Sequence, residues 1–281
     1  MTLEELRAEI DGIDDQIHDL LMRRTELVEA VGQAKGRNAV MRPAREAKML
    51  RRLIERHKGK FPKRVLINIW RELFSGFSAV QGRNAVAVYM PETESGYWEL
   101  ARAHFGSFIQ MQPYPSVGQV MRAVSDGLAT IGVLPLPEED DHDPWWRNIV
   151  GGDTDPLRIN GCLPFTGVDS RTSQIEAVTV AKAPLEPSDN DCSFIALEFD
   201  RTVSRAKLLD TLNAVDIHPS FMSFYNSARQ QDRGLMLIEV DGFWHDEEEA
   251  LSELTLRYSA LFFWTRVIGC YPRPFELRHL R

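Results

Sequence analysis

The sequence predicts a multidomain protein in which an all-α three-helix unit, residues 1–82, precedes two α/β units, 84–183 and 191–275. Three observations carry this reading. A chain of 281 residues exceeds the roughly 100 to 200 residues usual for one domain. After Gly82 the apolar pattern changes from helical spacing to short runs. Charge divides at the same place. Residues 1–82 carry 16 Lys and Arg against 12 Asp and Glu, the remainder 17 against 29, so the net charge of -8 averages a cationic part and an acidic one.

In the first unit, Leu3, Leu6, Ile10, Ile13, Ile17, Leu20, Leu27, Val31 and Ala34 alternate steps of three and four, with position 24 intervening. This is one long helix with a heptad seam. Pro43 suits the first turn of a second helix, whose apolar face is Met49, Leu50, Leu53 and Ile54 and which ends before Gly59 and Pro62. Leu66, Ile69, Trp70, Leu73, Phe74, Phe77 and Val80 line a third, closed by Gly82. The first helix would extend roughly 50 Å, too long to be covered by two shorter ones. An intertwined pair of chains solves that problem.

Beyond Gly82, apolar runs at Ala85 to Tyr89, Phe108 to Met111 and Thr130 to Leu136 alternate with helical stretches around Tyr97 to His104 and Val117 to Ala123, a βαβαβ pattern. Pro137 to Asn160 reads as a loop or lid and Ala183 to Asp191 as a linker. From Cys192 the order is strand to Phe199, helix Val203 to Val215, strand near Phe221, strand Leu235 to Val240, helix Glu247 to Tyr258 and strand Phe262 to Ile268. That βαββαβ order is ferredoxin-like.

Composition excludes several classes. With 43% apolar and 26% charged residues the chain is neither disordered nor fibrous. It has no apolar run long enough to span a membrane, and its acidic start lacks the order of a secretory signal. Three cysteines without C-x-x-C spacing suggest reduced thiols in the cytoplasm, with neither a disulfide framework nor a metal cage. Lys35 to Arg64 holds 12 basic and two acidic residues, which implies an anionic partner or a solvated helix face. Nucleic acid is disfavoured, since the cluster lacks interleaved aromatics.

Arg24 occupies a seam position where an apolar side chain belongs, and a guanidinium there requires an anion. Either a small ligand or a partner-helix carboxylate such as Asp14 would serve. Lys35, eleven residues on, lies about 20° round the helix and roughly 16 Å along it, so both side chains can converge on one ligand; alone, it would be a solvated helix end. Arg7 lies about 25 Å from Arg24 along the axis and reaches the same ligand only from an antiparallel partner. Glu46 stands in phase with Met49 and Leu53, where it would meet a ligand or cap its own helix. Gln81 extends the stripe of Trp70, Phe74 and Phe77, or frays at an exposed end.

The blocks Leu6-Arg7-Ala8-Glu9-Ile10-Asp11, Leu20-Leu21-Met22-Arg23-Arg24, Val31-Gly32-Gln33-Ala34-Lys35 and Arg42-Pro43-Ala44-Arg45-Glu46 resemble the all-helical chorismate mutase family, in its order and spacing. The resemblance implies a domain-swapped helical homodimer that turns chorismate into prephenate without cofactor or metal. It implies that Arg24 and the partner's Arg7 clamp the substrate carboxylates. Lys35 and Gln81 would donate to the ether oxygen, Arg45 would support a carboxylate, and Glu46 would accept from the ring hydroxyl. Arg42 stands where the family often has Asp, and Phe77 where it has Ser.

The downstream part resembles a prephenate dehydratase region followed by an ACT regulatory domain, as in bifunctional mutase–dehydratase proteins. Val267-Ile268-Gly269-Cys270-Tyr271-Pro272 is the best-preserved landmark. Met90-Pro91-Glu92-Thr93-Glu94-Ser95 and Pro135-Leu136-Pro137-Glu138-Glu139 stand in place of two others. Glu176-Ala177-Val178 is the nearest stretch to the catalytic Thr-Arg-Phe, so the hydroxyl and guanidinium that dehydration needs are missing. Ser223-Phe224-Tyr225-Asn226 and Ser204-Arg205-Ala206 replace the effector motifs. The expectation is a mutase with degenerate downstream domains; the alternatives are a bifunctional mutase–dehydratase, or a regulatory or structural protein with a helical dimerisation module.

Overall fold

The computed structural model describes residues 1–35, 41–82, 84–92, 96–151, 156–166, 175–226 and 232–276. Three helices open the chain: α1 (Leu3–Lys35), α2 (Pro43–Arg56) and α3 (Lys63–Gln81). Thr2 and Glu5 start α1 with a capping box: the Thr2 hydroxyl accepts from the Glu5 amide at 3.2 Å, and the Glu5 carboxylate accepts from the Thr2 amide at 2.7 Å. Pro43 sits in the first turn of α2, as its fixed φ and missing N–H favour.

The apolar faces of α2 and α3 are rotated from the expected ones. α2 buries Ala44, Ala47, Leu50 and Ile54, and α3 buries Ile67, Arg71, Phe74 and Ser75, while Ile69 and Val80 stay exposed. Both helices dock on the α/β body, joining Phe165 and Phe275 in one cluster, and this docking selects the face. Along α1, Leu3, Leu6, Ile10, Ile13, Ile17, Leu20, Leu27 and Val31 are all exposed.

Among the described residues the body holds nine strands: β1 (Ala85–Tyr89), β2 (Gln110–Tyr114), β3 (Ile131–Pro135), β4 (Arg158–Leu163), β5 (Ala177–Ala181), β6 (Asp191–Asp200), β7 (Phe221–Tyr225), β8 (Arg233–Asp241) and β9 (Phe262–Pro272). They form one sheet in the order β2-β1-β3-β5-β4-β9-β6-β8-β7. The units expected at 84–183 and 191–275 thus share a sheet, joined where β4 and β9 meet in parallel at Ile159 and Gly269. Within it, β9-β6-β8-β7 has the strand order of a ferredoxin-like unit, every pair antiparallel.

Helices α4 (Gly96–Phe105), α5 (Val117–Ser125), α6 (Arg205–Asn213) and α7 (Glu249–Arg257) cover the sheet. Strand alternation separates its faces. Val86 and Val88 pack with α4, Ile195 and Leu197 with α6 and α7, and the alternate residues Ala87, Phe194 and Ala196 with α5 and a short 3-10 helix, Trp145–Ile149.

Three sequence expectations change. Of the stretch read as loop or lid, residues 137–151 are loop with one short 3-10 helix and are packed down, since Trp145 and Trp146 are core and the Trp145 indole donates to the Pro135 carbonyl at 3.1 Å. The hairpin β4–β5 was not expected, because Asn160 and Gly161 interrupt β4 at a bulge and hide its alternation. β2 begins after Phe108, which is 72% exposed, and as an edge strand it tolerates Pro113.

Candidate active site

α1 and α3 run side by side in the same direction, since a one-turn step on one matches a one-turn step on the other. The Arg24 guanidinium lies 4.0 Å from the Phe77 ring centre, and one turn later the Gln81 amide donates to the Val28 carbonyl at 3.4 Å. Gly32 faces the same side chain: a β-carbon there would lie 3.7 Å from Gln81, in ordinary van der Waals contact. Arg24 and Gln81 therefore occupy successive rungs of one helix pair.

The sulfur of Met49 on α2 lies 4.0 Å from Nη2 of Arg24, a weak contact for a cation. Nη1 of Arg24 is buried without a hydrogen-bond partner. Burial, and then the neighbouring charge of Arg45, lower the Arg24 pKa from its ordinary value, although the group stays protonated. Arg45 is itself exposed. Two cations thus feel each other's charge, one with an unused buried donor, and an anion between them would offset both.

Glu46, the next residue of α2, is tied to α3. Its Oε2 accepts from Nη1 of buried Arg71 at 2.8 Å, and burial raises the carboxyl pKa despite the attraction of Arg71. Arg71 lies 5.3 Å from the Phe165 ring centre, and its charge adds to burial in holding the His104 pKa well below the ordinary 6.5. Gly106, at φ +82°, ends α4 beside it; a β-carbon there would lie 3.2 Å from the Arg71 carbonyl, so only glycine lets α3 come this close.

The structure therefore brings Arg24, Arg45 and Gln81 together at the α1–α2–α3 junction and places Glu46 at its rim in an ion pair. Arg7 is exposed, far along α1. Lys35 is the last residue of α1, and its side chain lies outside the described residues. Sequence reasoning missed Phe77 as the shelf for Arg24, and Arg71. The signal for Arg71 was its position four residues after Ile67 and three before Phe74, a cation on a buried stripe. Among the described residues, no group of three or more His, Cys, Asp and Glu could hold a metal ion, and no helix is long and apolar enough to cross a membrane.

Residues 6–82 match the family model of chorismate mutase type II. The match spans the three helices and ends where the α/β body begins. A bifunctional chorismate mutase/prephenate dehydratase of Stutzerimonas stutzeri is 32% identical over 143 residues, 48% of this chain and 38% of that protein. The chain thus spans well under half the length of this curated relative, and the aligned share is too large to fit within residues 1–82, so it reaches into the α/β body. Among solved structures, a quorum quenching acylase, GqqA, superposes with a TM-score of 0.49 at 16% identity, covering 68% of this chain and 96% of that one. A prephenate dehydratase of Streptococcus mutans gives 0.49 at 12%, covering 68% and 100%.

Proposed function

We propose that the mutase domain converts chorismate to prephenate in aromatic amino-acid biosynthesis, in the cytoplasm, at a site completed by a second copy of the chain. The rearrangement is intramolecular, and its substrate is a dianion that needs no nucleophile, metal or cofactor. The protein has to hold a compact conformer and stabilise negative charge on the breaking ether oxygen. Arg24 and the partner subunit's Arg7 grip the two carboxylates with planar forks, which suit that geometry. Lys35 and Gln81 donate to the ether oxygen, Arg45 adds positive potential, and Oε1 of Glu46 takes the ring hydroxyl while Arg71 keeps Oε2.

The observation that carries this reading is the buried, unbonded Nη1 of Arg24 beside Arg45, an anion site for which the described residues supply no carboxylate. The exposed seam of α1 supports the pairing that would deliver Arg7.

The test is to incubate the pure protein with chorismate and identify the product. Prephenate is expected. Phenylpyruvate above the spontaneous background would add the dehydratase reaction, and an unchanged substrate would overturn the proposal. Arg24→Ala and Lys35→Ala should each lower kcat/KM at least 100-fold, in keeping with about 3 to 4 kcal/mol for a lost transition-state donor.

A further inference from the structure

α2 is held on two opposite sides. Ala44, Ala47, Leu50 and Ile54 form its buried stripe against the α/β body. At 3.6 residues per turn, Arg45 and Met49 project about half a turn away from the centre of that stripe, toward Arg24. The body therefore grips the back of the helix whose front serves the site.

The grip is polar as well as apolar. Arg51, on the docked side, spends both terminal nitrogens on the body. Nη1 donates to the Ser188 carbonyl at 2.7 Å and the Ser188 hydroxyl at 3.0 Å, and Nη2 donates to the carbonyls of Asn190 at 2.8 Å and Arg273 at 2.9 Å. These acceptors come from two separate segments, the strap before β6 and the end of β9. Ser188 is 1% exposed, and Asp191 holds its amide at 2.8 Å. Two ion pairs flank the fork, Arg42 to Glu186 at 2.7 Å and Lys48 to Asp189 at 2.8 Å. Four acceptors in a fixed arrangement suit a planar fork and not an ammonium.

We infer that Arg51 is a positioning residue for the rearrangement: the α/β body, whatever else it does, sets the place of α2 and through it the distance between Arg45 and Arg24. This rests on the mutase reading above. It gives the downstream two thirds of the chain a role in a reaction whose contacting residues all lie in the first 82.

The inference has a kinetic signature. Lys35 and Gln81, the donors to the developing charge, belong to α1 and α3; α2 supplies Arg45 and Glu46, contacts to a carboxylate and the ring hydroxyl that already exist in the ground state. Releasing α2 therefore weakens substrate binding more than it slows the bound substrate. Displacement by about 1 Å can cost up to about 100-fold. Arg51→Ala should raise KM for chorismate about tenfold, with kcat changed less than about threefold. Arg51→Lys should fall between that variant and wild type. Lys60→Ala, which removes a charge from the same cationic stretch away from the fork, should leave KM unchanged. Partial unfolding would do the opposite, lowering kcat with the lost active fraction at unchanged KM.

Wild-type turnover separates the two ideas. Without it the mutase reading fails; with it, an unchanged KM in folded Arg51→Ala overturns the positioning role alone. Should Arg51→Ala not fold, the double variant Glu186→Gln with Asp189→Asn loosens the strap from its exposed side. A KM rise of about threefold or more supports the inference, and an unchanged KM overturns it.

Discussion

A guanidinium stacked on Phe77 with one amino group buried and unbonded carries a desolvation cost that only an anion offsets. Arg24 was legible in the sequence because it interrupts a heptad, and a heptad is a strictly local pattern. Arg71 and the ion pair it makes with Glu46 were not, because which face of α3 is buried depends on α4 and Phe165, elements distant in the chain. His104 belongs to the same neighbourhood and has its own consequence. Burial and the Arg71 charge keep it neutral in the folded protein, whereas the unfolded chain binds a proton near pH 6.5. Stability linked to His104 is therefore complete above pH 6.5 and declines as pH falls toward the depressed folded value, by up to about 1.4 kcal/mol per pH unit. Urea titrations at pH 7, 6 and 5 should show a steeper acid-side loss in wild type than in His104→Gln. Parallel losses would mean that His104 is not held neutral.

Helix α1 shows most plainly what an element requires of its surroundings. Eight seam residues from Leu3 to Val31 are exposed, Ile13 at 50% and Ile17 at 51%, on a helix that meets the rest of its own chain mainly through α3. Apolar area contributes about 25 cal/mol per Å² when buried, so a stripe of this length favours pairing with a second copy. Ile13→Asp places a charge in the middle of the seam and should convert the proposed dimer to a monomer by sedimentation velocity. Chorismate turnover should fall with it, because Arg7 then has no partner site to enter. A dimeric, active variant would exclude pairing through this seam. Elements with local punctuation were read closely. Ser116 caps α5, accepting from Gln119, and Ser204 caps α6, accepting from Lys207. The β4–β5 hairpin was lost because its bulge breaks the period of two on which strand recognition depends.

On the scale of the whole molecule, the joining of two half-sheets into one had no sequence signal, since it rests on a single registered pair, Ile159 and Gly269, far apart in the chain. A β-carbon at residue 269 would lie 2.7 Å from the Ile159 carbonyl oxygen and 3.0 Å from its Cα. Gly269→Ala must therefore push β4 from β9. It should cost about 1 to 3 kcal/mol in denaturant-induced unfolding, as overpacking commonly does, and a loss within 0.5 kcal/mol would show that the junction yields freely. Charge was only half legible at this scale. Of the cations between Lys35 and Arg64, Arg42 and Lys48 find anions in the strap of the same chain, while Arg52, Arg56, Lys58 and Lys60 stand exposed.

β9 lies inside the sheet, between β4 and β6, although every other described strand precedes it in the chain, and the residue after it supplies one of the carbonyls that hold Arg51. A ribosome adding about 5 to 20 residues per second releases α2 roughly 10 to 40 s before that strand can arrive. During synthesis the inner edges of β4 and β6 stay unpaired, and the back of α2 stays bare. The nascent chain thus presents two open strand edges and an apolar helix face together, the surfaces on which a chaperone acts, until β9 closes all of them at once.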